Sequence, residues 1–157
     1  MKILVLYYSS TGNTRFIAEA IANTLGADIE EIKPCQRIST TGISYVVMGL
    51  RQLLSQPEPE IEPLKSNVAD YDLVVIGTPV WSYSLSSPIR TLLNTCELKG
   101  KGVAFFCTHG GDKGKTFDNM AQLCMKSKVI TQREFCTPLK NKVQSKKEAK
   151  NWAKSLL

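Results

Sequence analysis

Lys2-Ile3-Leu4-Val5-Leu6-Tyr7-Tyr8 runs directly into Ser9-Ser10-Thr11-Gly12-Asn13-Thr14, and from there into Arg15–Gly26. The opening run is apolar almost throughout and reads as a strand buried on both faces, the pattern of a parallel sheet. Beyond the polar turn, Phe16, Ile17, Ala20, Ile21 and Leu25 recur at helical spacing and stop at Gly26, a residue suited to a helix C-terminus. A buried strand, a hydroxyl-rich turn and an amphipathic helix are therefore contiguous. The turn sits at a helix N-terminus, where unpaired N–H groups and the positive end of the helix dipole favour an anion. Ser9, Ser10, Thr11 and Thr14 offer hydroxyls, Gly12 permits close backbone approach, and Asn13 tolerates a left-handed conformation while donating an amide N–H. The turn has neither the Gly-Lys-Ser/Thr of a Walker loop nor the G-x-G-x-x-G of a Rossmann loop.

The same alternation continues along the chain. Ala27–Lys33 reads as a half-exposed strand near a sheet edge, ended by Pro34, and Ser39–Gln56 carries a helical face of Ile43, Val46, Val47, Leu50, Leu53 and Leu54. The proline-spaced acidic stretch from Pro57 to Pro63 reads as a stiff loop, because the residues before it hold only two strands, too few to close a core. Further buried strands are expected at Asp72–Gly77, Gly102–Cys107 and Val129–Cys136, with helices at Pro88–Cys96, Lys115–Lys126 and Ser145–Leu157. Strand and helix alternating in this way imply an α/β fold, a doubly wound five-stranded parallel sheet with helices on both faces. At 157 residues the chain has the size of one domain, residues 1–157.

Composition narrows the function. Five cysteines, Cys35, Cys96, Cys107, Cys124 and Cys136, are widely spaced and form no C-x-x-C pair, so they read as reduced thiols, with Cys107 and Cys136 as small buried hydrophobes. A single histidine, His109, excludes a multi-histidine metal centre. The net charge of +6 is uneven: residues 1–70 hold six basic and eight acidic side chains, residues 71–157 fourteen and six. Lys146, Lys147, Lys150 and Lys154 fit a solvated helix face, and no nucleic-acid-binding signature accompanies them, so nucleic acid is not an expected partner. No apolar run has the length of a membrane span, and a cytoplasmic protein is expected.

In doubly wound sheets ligands bind beyond the carboxyl ends of the strands, where strand order reverses. The loops of interest follow the first, third and fourth strands. Thr78-Pro79-Val80-Trp81-Ser82-Tyr83 places two aromatics at the mouth of that crevice, and a Trp there is suited to cover a planar ligand. Thr108-His109-Gly110-Gly111-Asp112 has glycines that let backbone amides reach a heterocycle's edge.

Together these residues resemble the flavodoxin family. Val5–Ile21 looks like its amino-terminal signature, Ile76-Gly77-Thr78-Pro79-Val80-Trp81 is similar to its strand-then-tryptophan segment, and Gly111-Asp112 followed by Asp118-Asn119 looks like its flavin-edge loop. The resemblance implies noncovalently bound FMN and strand order 2-1-3-4-5, the arrangement for which flavodoxins are the reference case. The cofactor-binding residues it implies are Ser9, Ser10, Thr11, Gly12, Asn13, Thr14, Thr78, Pro79, Val80, Trp81, Ser82, Tyr83, Thr108, His109, Gly110, Gly111 and Asp112. Thr116 stands where many flavodoxins carry a second stacking tyrosine, and Lys113 and Lys115 make the expected ring edge basic where the family is typically acidic. The implied function is electron transfer between redox partners through semiquinone and hydroquinone states of the flavin, with a redox protein partner that presents an acidic docking surface. The alternative is an NAD(P)H-dependent quinone or FMN reductase of the same fold.

Overall fold

The structure is a computed structural model, and it describes residues 1–38, 50 and 58–157. Its elements are β1 (Ile3–Tyr7), α1 (Asn13–Leu25), β2 (Asp28–Glu31), β3 (Leu73–Trp81), β4 (Ser84–Leu85), α2 (Ser87–Thr95), β5 (Gly102–His109), α3 (Thr116–Leu123), β6 (Lys128–Cys136) and α4 (Lys142–Lys154). The sheet runs β2-β1-β3-β5-β6, all parallel, with β4 paired antiparallel to the end of β3. Counting only the parallel strands this is 2-1-3-4-5, as expected. The helix expected at Ser39–Gln56 lies, apart from Leu50, outside the described residues.

Alternate residues of the central strands build two cores. Leu4, Leu6, Val74, Ile76, Val103 and Phe105 point to the face covered by Ile89 and Leu92 of α2 and by Phe117 and Met120 of α3. Ile3, Val5, Val75, Ala104 and Phe106 point to the face covered by Ile17 and Ile21 of α1 and by Ala149 and Trp152 of α4. That double burial is why the central strands read as unbroken apolar runs rather than alternating ones. On α4 the lysines 142, 146, 147, 150 and 154 are exposed while Ser145, Ala149, Trp152 and Ala153 are buried, the helical spacing of a half-solvated element.

Three expectations need correction. The third strand continues past Gly77 through Thr78, Pro79 and Val80 to Trp81, because β5 keeps pairing with it as far as Thr108 opposite Pro79. Pro79 is tolerated there because β1 pairs with β3 only as far as Gly77, leaving that side of β3 free of the ladder beyond it. Likewise Thr108 and His109 belong to β5, opposite Phe135 and Cys136 of β6, rather than to a loop. Finally, β6 is an edge strand in which only Phe135 is buried, so Cys136 is exposed, while Cys107 is buried. Burial pushes the Cys107 thiol up to about 12, which keeps it protonated and inert at neutral pH. Among the described residues no helix is long and apolar enough to cross a membrane.

Candidate functional site

Because β1, β3, β5 and β6 run parallel, their carboxyl ends share one edge of the sheet. A cavity of about 320 Å³ opens there, lined by Ser10, Thr11, Asn13, Pro79, Val80, Trp81, Thr108, His109, Gly110, Thr137, Leu139 and Lys140. It lies between the loop after β1 and the end of β3, where the chain's progress across the sheet changes direction.

One wall is the Ser9–Thr14 turn. Gly12 has φ 89°, the left-handed region that favours glycine, and this bends the chain into α1. The Ser9 hydroxyl accepts from the N–H of Gly12 at 3.1 Å and of Arg15 at 3.2 Å, so it shapes the turn. Asn13 donates from Nδ2 to Thr11 Oγ1 at 2.9 Å, and its Oδ1 accepts the Leu139 N–H at 3.1 Å, tying the turn to the loop after β6. Thr14 is buried, with its hydroxyl 2.8 Å from that of Thr108, so it joins α1 to β5. Ser10, Thr11 and Asn13 are the residues of this turn on the cavity wall.

Arg15 is the cation next to the turn in sequence, but its guanidinium makes a two-pronged pair with Glu31 at 2.7 and 2.8 Å. Lys140 is a cation that does line the cavity. It belongs, with Thr137 and Leu139, to the β6–α4 loop, which the sequence reading did not include. A usable signal existed: Thr137-Pro138-Leu139-Lys140 stands between a strand's carboxyl end and a helix, on the edge of the sheet where such folds bind ligands.

The opposite wall comes from β3 and β5. Trp81 is only 4% exposed and packs edge-on against Tyr8, with ring centroids 5.4 Å apart at 87°. Ser82 and Tyr83 both have positive φ, 49° and 62°, forming the two-residue turn that joins β3 to β4. This is the twist-matched hairpin geometry usually marked by Asn-Gly, which explains why β4 was not legible. Tyr83 is 67% exposed at the tip, and its carbonyl accepts the Lys115 N–H at 2.8 Å. Gly114, at φ 54°, is held against that tip so closely that a Cβ would stand 2.4 Å from the Tyr83 carbonyl oxygen. The Asp112 carboxylate accepts the Gly114 N–H at 2.8 Å, and Thr78 is buried with its hydroxyl bonded to Pro79 and Ser86. Thr78, Ser82, Tyr83 and Asp112 thus shape the rim and support of the cavity, and Pro79, Val80, Trp81, Thr108, His109 and Gly110 face it.

At the end of β5, the His109 side chain is 6% exposed and its Nε2 lies 2.8 Å from Glu134, whose other oxygen meets Lys113 at 3.3 Å. Burial, the largest influence, pushes the Glu134 carboxyl up, but the bonds to His109 and Lys113 outweigh it and hold the group below its ordinary value.

This geometry presents an anion-seeking helix terminus at one end of the cavity and an apolar, aromatic-bordered slot at the other. Any flavin that enters should quench Trp81 emission; the other tryptophan, Trp152, packs on the opposite face of the sheet, and replacing it leaves Trp81 as the single reporter. Fluorescence of Trp152→Phe during FMN addition checks this, and an unquenched Trp81 would place the ring elsewhere.

Comparison with known proteins gives a consistent picture. The sequence model of the flavodoxin family matches residues 2–156. An NAD(P)H dehydrogenase (quinone) of Cupriavidus metallidurans is 31% identical over 136 residues, covering 78% of this chain and 65% of its own. A second, from Caulobacter vibrioides, is 28% identical and covers 74% and 62%. The chain therefore spans slightly less than two thirds of the length of these curated relatives. A flavoprotein of Lactobacillus acidophilus, solved in complex with FMN, superimposes with a TM-score of 0.76 at 28% identity, covering 89% of this chain and 97% of its own. Two-electron reduced flavodoxin of Megasphaera elsdenii shares the fold, with TM-score 0.61 at 23% identity over 98% and 99% of the two chains.

Proposed function

Because the chain belongs to the flavodoxin family, we propose that it is an electron carrier that holds one FMN at the carboxyl edge of its sheet. The observation that carries this reading is the cavity itself, with the N-terminus of α1, Ser10, Thr11 and Lys140 at one end and Trp81 with the 108–110 segment at the other. Those residues fit the group: hydroxyls, N–H groups and a cation suit a phosphate dianion, and an aromatic wall beside small residues suits a flat ring. A Cβ at Gly110 would meet nothing within 4 Å, so backbone at the ring's expected edge has room for a ligand. FMN, when bound, supplies one- and two-electron chemistry, and the chain's own work is to bind, orient and shield it. Support comes also from the near end-to-end match to the FMN flavoprotein. Acid extraction of the purified protein should release FMN. Recovery of FAD alone, or apoprotein that takes up no FMN, would refute the reading.

The names of the quinone dehydrogenase relatives favour a second reading, a reductase that accepts hydride from NAD(P)H directly. It requires an open ring face beside Trp81 and an anion site for the dinucleotide.

The partner we propose is a redox protein with an acidic docking patch. Lys115 on the loop before α3, the exposed lysines of α4 and the strongly basic second half of the chain support it. Lys113→Glu/Lys115→Glu should slow electron transfer to or from such a partner severalfold at low salt, and the difference should shrink as exposed charges become screened beyond about 8–10 Å. Stopped-flow rates at two ionic strengths check it, and a salt-independent rate would remove the acidic patch from the account.

A further inference from the structure

His109 is the only histidine in the chain, and the binding role above does not use its imidazole. Its Nε2 is committed to Glu134 at 2.8 Å, and Nδ1 is buried with no hydrogen-bond partner among the described residues. A carboxylate at Nε2 selects the tautomer with its proton there, which leaves Nδ1 as a bare, buried lone pair on a residue that helps to line the cavity. A buried nitrogen without a partner is costly, and Glu134 is already placed to stabilise the ring once it gains a second proton. The charged groups nearby are Glu134 on β6, Lys113 and Asp112 on the loop after β5, and Lys140, which lines the same cavity; Cys136 is its register partner on β6.

We propose that His109, held by Glu134, takes up a proton when a flavin in the adjoining cavity is reduced by two electrons. The inference rests on the FMN reading. Two electrons from a donor, dithionite in the test below, enter the oxidised ring with one proton and leave it one charge more negative. A second proton bonds to His109 Nδ1, so the pair of sites gains two electrons and two protons. The new negative charge favours the imidazolium, and by linkage the imidazolium favours reduction. Lys113 and Lys140 disfavour a charge on the ring, and Glu134, in direct contact with Nε2, favours it.

Because there is one histidine, ¹⁵N-histidine labelling yields one imidazole to follow by NMR, and the two-electron-reduced flavin is diamagnetic. The titration is run on apoprotein, on oxidised holoprotein and on dithionite-reduced holoprotein, with flavin fluorescence reporting FMN occupancy. On reduction the His109 midpoint should rise by about one pH unit or more, a tenfold gain in proton affinity. Glu134→Gln should lower it in all three states. Proton uptake per flavin, read with a pH indicator between the two midpoints, should fall in His109→Gln. The proposal is overturned if FMN is bound yet the midpoint is the same in both redox states, or if His109→Gln takes up as many protons as wild type. Failure of FMN to bind would overturn the premise instead, and the fluorescence separates the two failures.

Discussion

Gly77→Val should leave little or no folded protein. Gly77 lies in the middle of the sheet, between Tyr7 of β1 and Phe106 of β5. A Cβ there would stand 2.0 Å from Phe106 Cζ and 2.4 Å from Cε1, so the ring crosses directly over the glycine. The ring is flanked on two sides: Phe135 and Trp152 both pack edge-on against it with centroids 6.4 Å away. Overpacking a core costs about 1–3 kcal/mol when neighbours can shift, and a clash with a ring pinned on two sides belongs at or above that upper end. Set against a total stability of roughly 5–15 kcal/mol, Ala should lower stability by about 3 kcal/mol and Val by more. Urea unfolding followed by circular dichroism measures it. A Gly77→Ala protein within about 1 kcal/mol of wild type would show that the Phe106 ring is free to swing away.

FMN should bind at least about 100-fold more tightly than riboflavin, a difference of about 2.7 kcal/mol, because a phosphate engages several charge-assisted donors at once. The first N–H groups of α1 have no carbonyl partners within the helix, Ser10 and Thr11 line the same cavity, and Lys140 adds a full charge. Lys140→Gln should therefore reduce FMN affinity several-fold and leave riboflavin affinity nearly unchanged, so the ratio between them narrows. Gly12→Ala should weaken FMN as well, since φ 89° is strained for any residue with a Cβ and the turn would open. Fluorescence titration with both flavins checks each statement, and equal affinities in wild type would place the phosphate away from this turn.

How much of this was legible in the sequence depends on whether the signal was local. The β1–turn–α1 unit was, because an apolar run, a hydroxyl-rich turn and a helical stripe each span only a few residues, and Gly26 caps α1 with φ 61° where the periodicity stops. Parallel pairing followed from the alternation, and the strand order from the resemblance to the flavodoxin family. Strand ends were not legible, because whether Thr78–Trp81 pairs depends on β5 lying alongside, which is a long-range fact. Cys136 was misread for the same reason: Val129, Ile130 and Phe135 look like core, but at an edge strand Val129 and Ile130 are exposed. Thr14 shows the limit at the site. Its hydroxyl is of the right type and in the right turn for a phosphate, and only the fold reveals that Thr108 holds it. Lys140 shows the converse, a cation remote in sequence that the sheet brings to the turn.

How the bound flavin is reduced separates a carrier from a reductase most directly. Holoprotein with one FMN should be mixed anaerobically with NADPH, with NADH and with a small one-electron donor, and the flavin absorbance followed. An electron carrier is expected to bleach promptly with the one-electron donor and to remain oxidised for many minutes with either nicotinamide. Rapid, saturable bleaching by NADPH or NADH would contradict the carrier reading and assign the chain to the reductases.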